Sequence, residues 1–272
     1  GGPANWGKTE RTLALIEEAN AAGFDVFCDQ YPYTASATGL STNIPDKMHA
    51  LGTKSLLQLL ASEAGRAQLR PMILGARTAK ERFQYTMIGS SPSHPKYNGR
   101  MLNEIADALG QDSYELQCDI LLADKLLTGG IYHTMSEDDL QRVMQYPRTM
   151  VGTDGLWYPG CEGAHPRSIG TFPRMLGRYV RQKKYISLEN AIRKMTSLPA
   201  QVYGMRGKGI VASGFDADLV LFDAEKIIDR AEYGAFCQRC EGLASVIIGG
   251  KIAVEDAVFN GTKAGKVLRK EA

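Results

Sequence analysis

The sequence has no long apolar segment, no excess of charge of either sign, and few histidines and cysteines. No apolar run approaches the roughly 20 residues that a membrane-spanning helix needs, so no membrane segment is predicted. The 32 basic and 30 acidic residues are interspersed and leave a formal net charge of +2. That balance gives no field suited to nucleic acid or to an acidic membrane surface. Small molecules and proteins remain as the expected partners.

The five cysteines are odd in number and scattered, and no charged segment followed by an apolar one opens the chain. A disulfide framework and a secretory leader are both disfavoured, and the prediction is a reduced, cytoplasmic protein. Cys237 and Cys240 form a C-x-x-C spacing, but no second pair accompanies them, which favours chance over a redox or zinc role. The chain opens in a glycine- and proline-containing stretch without methionine, so we expect a fragment of a longer protein.

What the sequence does contain is 44% hydrophobic residues over 272 positions, enough to bury a sizeable core. Amphipathic helices alternate with short apolar strands. The predicted helix and strand pairs are helix 9–20 with strand 24–29, helix 112–127 with strand 129–134, and a helix capped by Ser136 with strand 148–154. This alternation predicts parallel pairing, in which a ligand site lies at the carboxyl ends of the strands.

The segment 34–100 departs from this alternation and is interpreted as an insertion on the α/β frame. A helix is predicted over 54–70, and the apolar runs 71–76 and 85–90 are typical of strands. A turn rich in serine and proline follows them.

The sequence pattern changes again beyond Gly204, where glycines interrupt short runs of residues typical of β-strands. The run 247–256 reads as a hairpin. We therefore divide the chain into an α/β part, 1–206, and a small β domain, 207–272.

Asp154 and Arg167 carry the candidate chemistry. Asp154 ends a predicted strand and is flanked closely by glycines, so its carboxylate can be a metal ligand, a general base or both. An Asx turn or a helix cap is the alternative. Arg167 follows a proline in the next loop, which is typical of a guanidinium fork for a substrate carboxylate or of a solvated surface charge.

His133, His165 and Cys161 could in principle join Asp154 in a zinc site. No compact ligand spacing supports that site, and histidines satisfied by local hydrogen bonds are the alternative. Elemental analysis would distinguish the two.

Tyr31 and Tyr33 stand on either side of Pro32, after the first predicted strand. They alternate by two, so both can face one side, where a phenol donates to a substrate carboxylate or carbonyl. Core aromatics with a polar tip are the alternative.

Several runs of the sequence resemble one family. "NWGKTERTLALIEEA", "DQYPYTAS", "HPRSIGTFPR" and "GFDADLVLFD" look like the C-terminal part of the N-acyl-D-amino-acid deacylases, or D-aminoacylases, of the amidohydrolase superfamily. The resemblance covers nearly the whole chain and is weakest over 47–97. The order of TDG, HPRSIGTFPR and GFDADLVLFD is more specific than any single triplet.

The resemblance implies the C-terminal part of a distorted TIM (β/α)8 barrel followed by part of a small β-sandwich domain. It also implies zinc-dependent hydrolysis of the amide bond of small N-acyl-D-amino acids. By the same resemblance Asp154 binds metal and shuttles a proton, Arg167 holds the substrate carboxylate, and Tyr31 or Tyr33 supports it. The acyl group and the amino acid accepted stay open.

The family's other metal ligands, a His-x-His pair, a cysteine and two histidines, precede the segment that resembles the start of this chain. A catalytic zinc needs about three protein ligands. We therefore expect the chain alone not to bind zinc tightly and to be inactive.

The alternative function is a non-catalytic binding or oligomerising protein built on a half barrel, whose open edges a second copy or a complementing N-terminal segment would cover. Sedimentation would distinguish it, because a clean monomer argues against self-association.

Overall fold

The computed structural model of the chain describes residues 2–156, 165–235 and 237–269, which form three sheets flanked by helices. The strands are β1 (Cys28–Gln30), β2 (Ser36–Gly39), β3 (Thr86–Ser90), β4 (Arg100–Met101), β5 (Gly129–Tyr132), β6 (Thr149–Val151), β7 (Leu219–Phe222), β8 (Leu243–Ile248), β9 (Lys251–Glu255) and β10 (Val258–Phe259). The helices are α1 (Thr9–Ala21), α2 (Asp46–His49), α3 (Thr53–Ala61), α4 (Glu63–Leu74), α5 (Ala79–Phe83), α6 (Leu102–Leu109), α7 (Ser113–Ala123), α8 (Glu137–Gln145), α9 (Arg167–Arg174), α10 (Leu188–Met195) and α11 (Ser197–Val202). The result is a mixed α/β fold with open sheets, as expected for part of a barrel with a small sheet domain.

β1 and β6 form the parallel pair that the helix and strand alternation predicts. Cys28 pairs with Thr149 and Gln30 with Val151, so the two carboxyl ends lie side by side. The helix before β6 begins where predicted, because the Ser136 hydroxyl accepts hydrogen bonds from the first backbone N–H groups of α8. Two segments far apart in sequence are thereby brought to one sheet edge.

Parallel pairing is wrong for the strand predicted at 129–134. β5 lies between β2 and β3 and is antiparallel to both. The helices between β2 and β5 bury their apolar residues against one another, with Leu56, Leu69, Phe83 and Leu121 in one core. Since these helices form their own core, they do not serve as crossovers between parallel strands.

The strand predicted at 71–76 is also wrong, since α4 continues as helix to Leu74. The predicted helix 54–70 is divided at Ser62, whose backbone is extended and whose hydroxyl accepts from the N–H of Gly65 at 3.1 Å. That cap starts a new helix, and its last turn buries Ile73 and Leu74. A short apolar run cannot be told from a buried helix segment by its periodicity.

The C-terminal residues form a four-stranded antiparallel sheet in the order β10, β9, β8, β7. The predicted hairpin is confirmed: Gly249 and Gly250 connect β8 to β9 with φ of 56° and 78°. Ahead of this sheet, α9 continues directly into a π-helix, Met175–Gln182. The division at residue 207 stays a prediction. Within the described ranges we find no helix long and apolar enough to cross a bilayer.

Lys194 on α10 is buried beneath β6, with 0% of its surface exposed. Its ammonium donates to the carbonyl of Tyr146 and, at 2.9 Å, to that of Thr149, the first residue of β6. Burial lowers the pKa of Lys194 to about 8. The Lys194 amine therefore stabilises the start of β6, the strand that leads to Asp154, although its own charge is buried there.

Lys194 predicts a pH-dependent stability. Below pH 8 the amine is charged in both states and the native state bears the burial cost. Between pH 8 and about 10.4, the pKa of a lysine in the unfolded chain, the unfolded state binds a proton that the native state does not. The free energy of unfolding therefore rises with pH across this range. Urea denaturation should show the wild type gaining stability over Lys194→Met across this range. Lys47→Met, at an exposed lysine, is the control. A wild-type advantage independent of pH would contradict the prediction.

Candidate active site at the ends of two strands

Asp154 follows β6 by three residues, at the edge where β1 also ends. Its φ of 44° is in the left-handed region, which aspartate tolerates better than most residues other than glycine. The local turn is closed by Thr153, whose hydroxyl accepts from the N–H of Gly155 at 3.2 Å. The Asp154 side chain is 68% exposed and is thus presented to solvent by this bend.

Arg167, the first residue of α9, contacts Asp154 through two of its side-chain nitrogens. Its Nη2 lies 2.8 Å from the Asp154 Oδ2, and its Nε donates to the Asp154 carbonyl at 2.9 Å. The arginine side chain is 7% exposed, and its buried Nη1 has no hydrogen-bond partner among the described residues. A buried donor without a partner is costly, so the guanidinium has capacity for one further acceptor.

Tyr31 lies beside this pair. The guanidinium carbon of Arg167 is 4.6 Å from the centre of the Tyr31 ring, a cation–π distance. Tyr31 also lines a cleft of about 450 Å³ together with Asp154 and Asp29. Of the two tyrosines, Tyr31 is therefore the one at the strand-end cleft.

Tyr33 is buried and belongs to a different contact. Its hydroxyl donates to Oδ2 of Asp229 at 3.2 Å, and Arg174, at the other end of α9, contacts the same oxygen at 3.1 Å. The Arg174 guanidinium also stacks on the Tyr33 ring at 4.3 Å and donates to the carbonyl of Pro32 at 2.8 Å. A Cβ at Gly170 would lie 2.4 Å from the Tyr33 hydroxyl, so glycine is needed for this approach.

His165 is buried with both ring nitrogens engaged. Nδ1 accepts from the backbone N–H of Arg167 at 3.0 Å, so the proton is on Nε2, which donates to the carbonyl of Ala35 at 2.9 Å. Burial lowers the pKa of His165 to about 3, against the opposing effect of the hydrogen bond to Ala35. His165 is therefore a neutral residue that positions Arg167, and neither nitrogen is free for a metal.

The zinc site that His133, His165, Cys161 and Asp154 could in principle form is not assembled among the described residues. His133 packs its ring on Tyr233 at 4.8 Å, and Cys161 lies outside the described residues. Over 2–156, 165–235 and 237–269, no group of three or more histidine, cysteine, aspartate or glutamate side chains comes together to hold a metal ion. The residues that the structure describes therefore do not supply the three ligands of a catalytic zinc.

Asp29, Arg174, Asp229 and Tyr233 of this region were not anticipated from the sequence. Asp29 could have been found, since it lies on β1 just before Tyr31 and so reaches the same edge as Asp154. Asp229 and Tyr233 come from nearly 200 residues further along the chain, and no local pattern marks them.

The chain matches the amidohydrolase family over residues 36–254. It is 36% identical to an N-acyl-D-glutamate deacylase of Alcaligenes xylosoxydans xylosoxydans, over 99% of this chain and 46% of the relative. A crystal structure of a D-aminoacylase has a TM-score of 0.75 at 35% identity, covering 99% of this chain and 48% of that one. The zinc- and phosphonate-bound N-acyl-D-glutamate deacylase of Bordetella bronchiseptica has a TM-score of 0.72 at 33% identity, over 93% and 44%. The chain thus spans about half the length of the relatives it matches.

The two tyrosines should differ in their effect on stability. Tyr33→Phe removes a donor from the buried Asp229 and should lower the free energy of unfolding by about 1–2 kcal/mol. Arg174→Met leaves that carboxylate without its cation and should cost about 3–5 kcal/mol. Tyr31→Phe is the matched control, because its hydroxyl donates to the weak acceptor Sδ of Met135 at 3.8 Å. Equal losses for the two tyrosines in urea denaturation would refute this division.

Proposed function

Because the chain belongs to the amidohydrolase family, we propose that it forms part of a zinc-dependent N-acyl-D-amino-acid deacylase, in which Arg167 binds the substrate carboxylate. The observation that carries the proposal is the buried Arg167 guanidinium, with Nη1 lacking a partner among the described residues and Nη2 paired to Asp154. The relatives named as deacylases of N-acyl-D-amino acids support the reaction class.

The Arg167 fork suits a carboxylate ligand. A substrate carboxylate that accepts from Nη1 would also reach Nη2, because parallel donation from both nitrogens is the preferred geometry of this pair. It would then compete with the Asp154 carboxylate for Nη2, while Nε still holds the Asp154 carbonyl. Substrate binding therefore releases the Asp154 side chain without moving its backbone. Tyr31, stacked on the same guanidinium, supports the arginine from the cleft side.

The released Asp154 carboxylate serves as the proton carrier. Hydrolysis of an amide requires a proton to leave the attacking water and a proton to reach the departing nitrogen, and one exposed carboxylate can accept the proton from the water and then deliver it to the nitrogen. Zinc, when bound, would polarise the carbonyl and activate that water. Among the described residues, Asp154 is not joined by two further ligands, so these residues alone do not fit a catalytic zinc.

The 272-residue chain on its own should therefore not hydrolyse N-acetyl-D-amino acids, even with added zinc, because its described residues do not assemble a group of metal ligands. Release of the free amino acid can be followed directly with Asp154→Asn as the control, since asparagine also tolerates the left-handed backbone. Turnover that Asp154→Asn abolishes would refute the expectation.

Binding tests the role of Arg167 separately from catalysis. The chain should bind N-acetyl-D-leucine at least about tenfold more tightly than N-acetyl-D-leucinamide, which lacks the carboxylate. Arg167→Lys should remove this preference, because an ammonium does not reproduce the fork. Arg11→Lys, at an exposed arginine paired with Glu18, is the control and should keep it.

Titration calorimetry would measure both ligands on all three proteins. Equal affinity of the wild type for the acid and the amide would rule out the carboxylate clamp.

A further inference from the structure

A second cleft, of about 480 Å³, opens beside Arg167 and Asp154, between the β2, β5 and β3 sheet and the start of α9. The sheet side is lined by small residues, among them Gly89, Gly129 and Gly130. The rim is apolar and is formed by leucines. Those leucines are Leu126, Leu127 and Leu156.

The rim is a fixed part of the fold. Asp124, which is buried, accepts hydrogen bonds from Ser91, Ser93 and Thr128, each at 2.7 Å. These bonds hold both ends of the turn that carries Leu126, whose φ of 69° is in the left-handed region. The leucine wall is therefore built by a satisfied polar network rather than by a loose loop.

Charge is scarce along this cleft. Among its described lining residues, Arg167 and Asp154 are the two that carry a charge, since burial keeps the pKa of His165 at about 3. The cation is already committed to Asp154 and, in the proposed function, to the carboxylate of the substrate. When the substrate carboxylate takes Nη2 from Asp154, as in the proposed function, the charge left unpaired beside this space is the exposed Asp154 carboxylate, which is negative.

A second carboxylate on the substrate would meet this surface unfavourably. It would lose water against the leucines, find no free cation among the described lining residues, and be repelled by Asp154. A neutral apolar group of similar size would instead gain by burial.

We propose that this cleft selects N-acyl-D-amino acids whose side chain is neutral and apolar, and rejects those with an acidic side chain. The inference rests on the proposed function and names its substrate class. Overall identity does not decide the point, because the D-glutamate deacylase at 36% and the D-aminoacylase at 35% are equally near. The chemistry of the cleft favours the neutral class.

The test is the affinity of the 272-residue chain for three ligands, N-acetyl-D-leucine, N-acetyl-D-glutamine and N-acetyl-D-glutamate. Glutamine and glutamate match in size and differ in charge. Leucine should bind at least about tenfold more tightly than glutamate, with glutamine between them. Leu126→Lys should raise the affinity for glutamate by supplying the missing cation, whereas Leu109→Lys, at an exposed leucine away from the cleft, should not.

The outcomes separate this inference from the proposed function. If none of the three ligands binds, the proposed function fails, and the inference with it. If glutamate binds as tightly as leucine, the inference alone is overturned. Lys125 adjoins the rim without being among the residues that line the cleft, so Lys125→Met tests whether its charge contributes to ligand binding. It should leave all three affinities unchanged, and a loss confined to glutamate would overturn the inference by identifying Lys125 as the cation.

Discussion

The carboxylate of Asp229 is buried where the C-terminal residues meet the ends of the first strand, and its charge has to be neutralised at that point. Arg174 and Tyr33 do so, and Arg174 also donates to the backbone that follows β1. Since Arg174 is the last residue of α9, this ion pair fixes one end of that helix. The other end is Arg167, so the position of the candidate clamp depends on a contact that lies outside the cleft.

The same C-terminal segment supports the clamp by a second route. The ring of Tyr233 packs on His165 at 5.1 Å and on His133 at 4.8 Å. His165 in turn accepts from the backbone N–H of Arg167. By packing on His165, the Tyr233 ring therefore also stabilises the first turn of α9. The C-terminal sheet thus does more than cover a core, because the segment that connects β7 to β8 carries Asp229 and Tyr233, which position the residues of the site.

Features set by neighbours in sequence were predictable. Ser136 caps its helix as its spacing indicates, and Asp154 stands after a strand that pairs in parallel with the first. Features set by distant partners were not. The antiparallel position of β5 follows from how the intervening helices pack on one another, which no periodicity reveals.

The roles of the two tyrosines illustrate the same limit. Alternation by two places Tyr31 and Tyr33 on one side of the chain, and both indeed contact His165. What separates them is Asp229, 196 residues beyond Tyr33, which takes one hydroxyl into the interior and leaves the other tyrosine at the cleft. The alternation of Tyr31 and Tyr33 is a local pattern and could not predict a contact with a residue so far along the chain.

The glycines of the cleft's sheet have a consequence for how this fold can diversify. A Cβ at Gly89 would lie 3.2 Å from the side chain of Ile131 and 3.3 Å from the backbone oxygen of Gly129, and one at Gly130 would lie 2.8 Å from the hydroxyl of Tyr132. The sheet therefore resists enlargement at these positions, whereas Leu127 and Leu156, 74% and 70% exposed, can be replaced without disturbing a core. Evolution of a new substrate range, natural or in the laboratory, would accordingly proceed through the rim, with the sheet retained as an unchanging base.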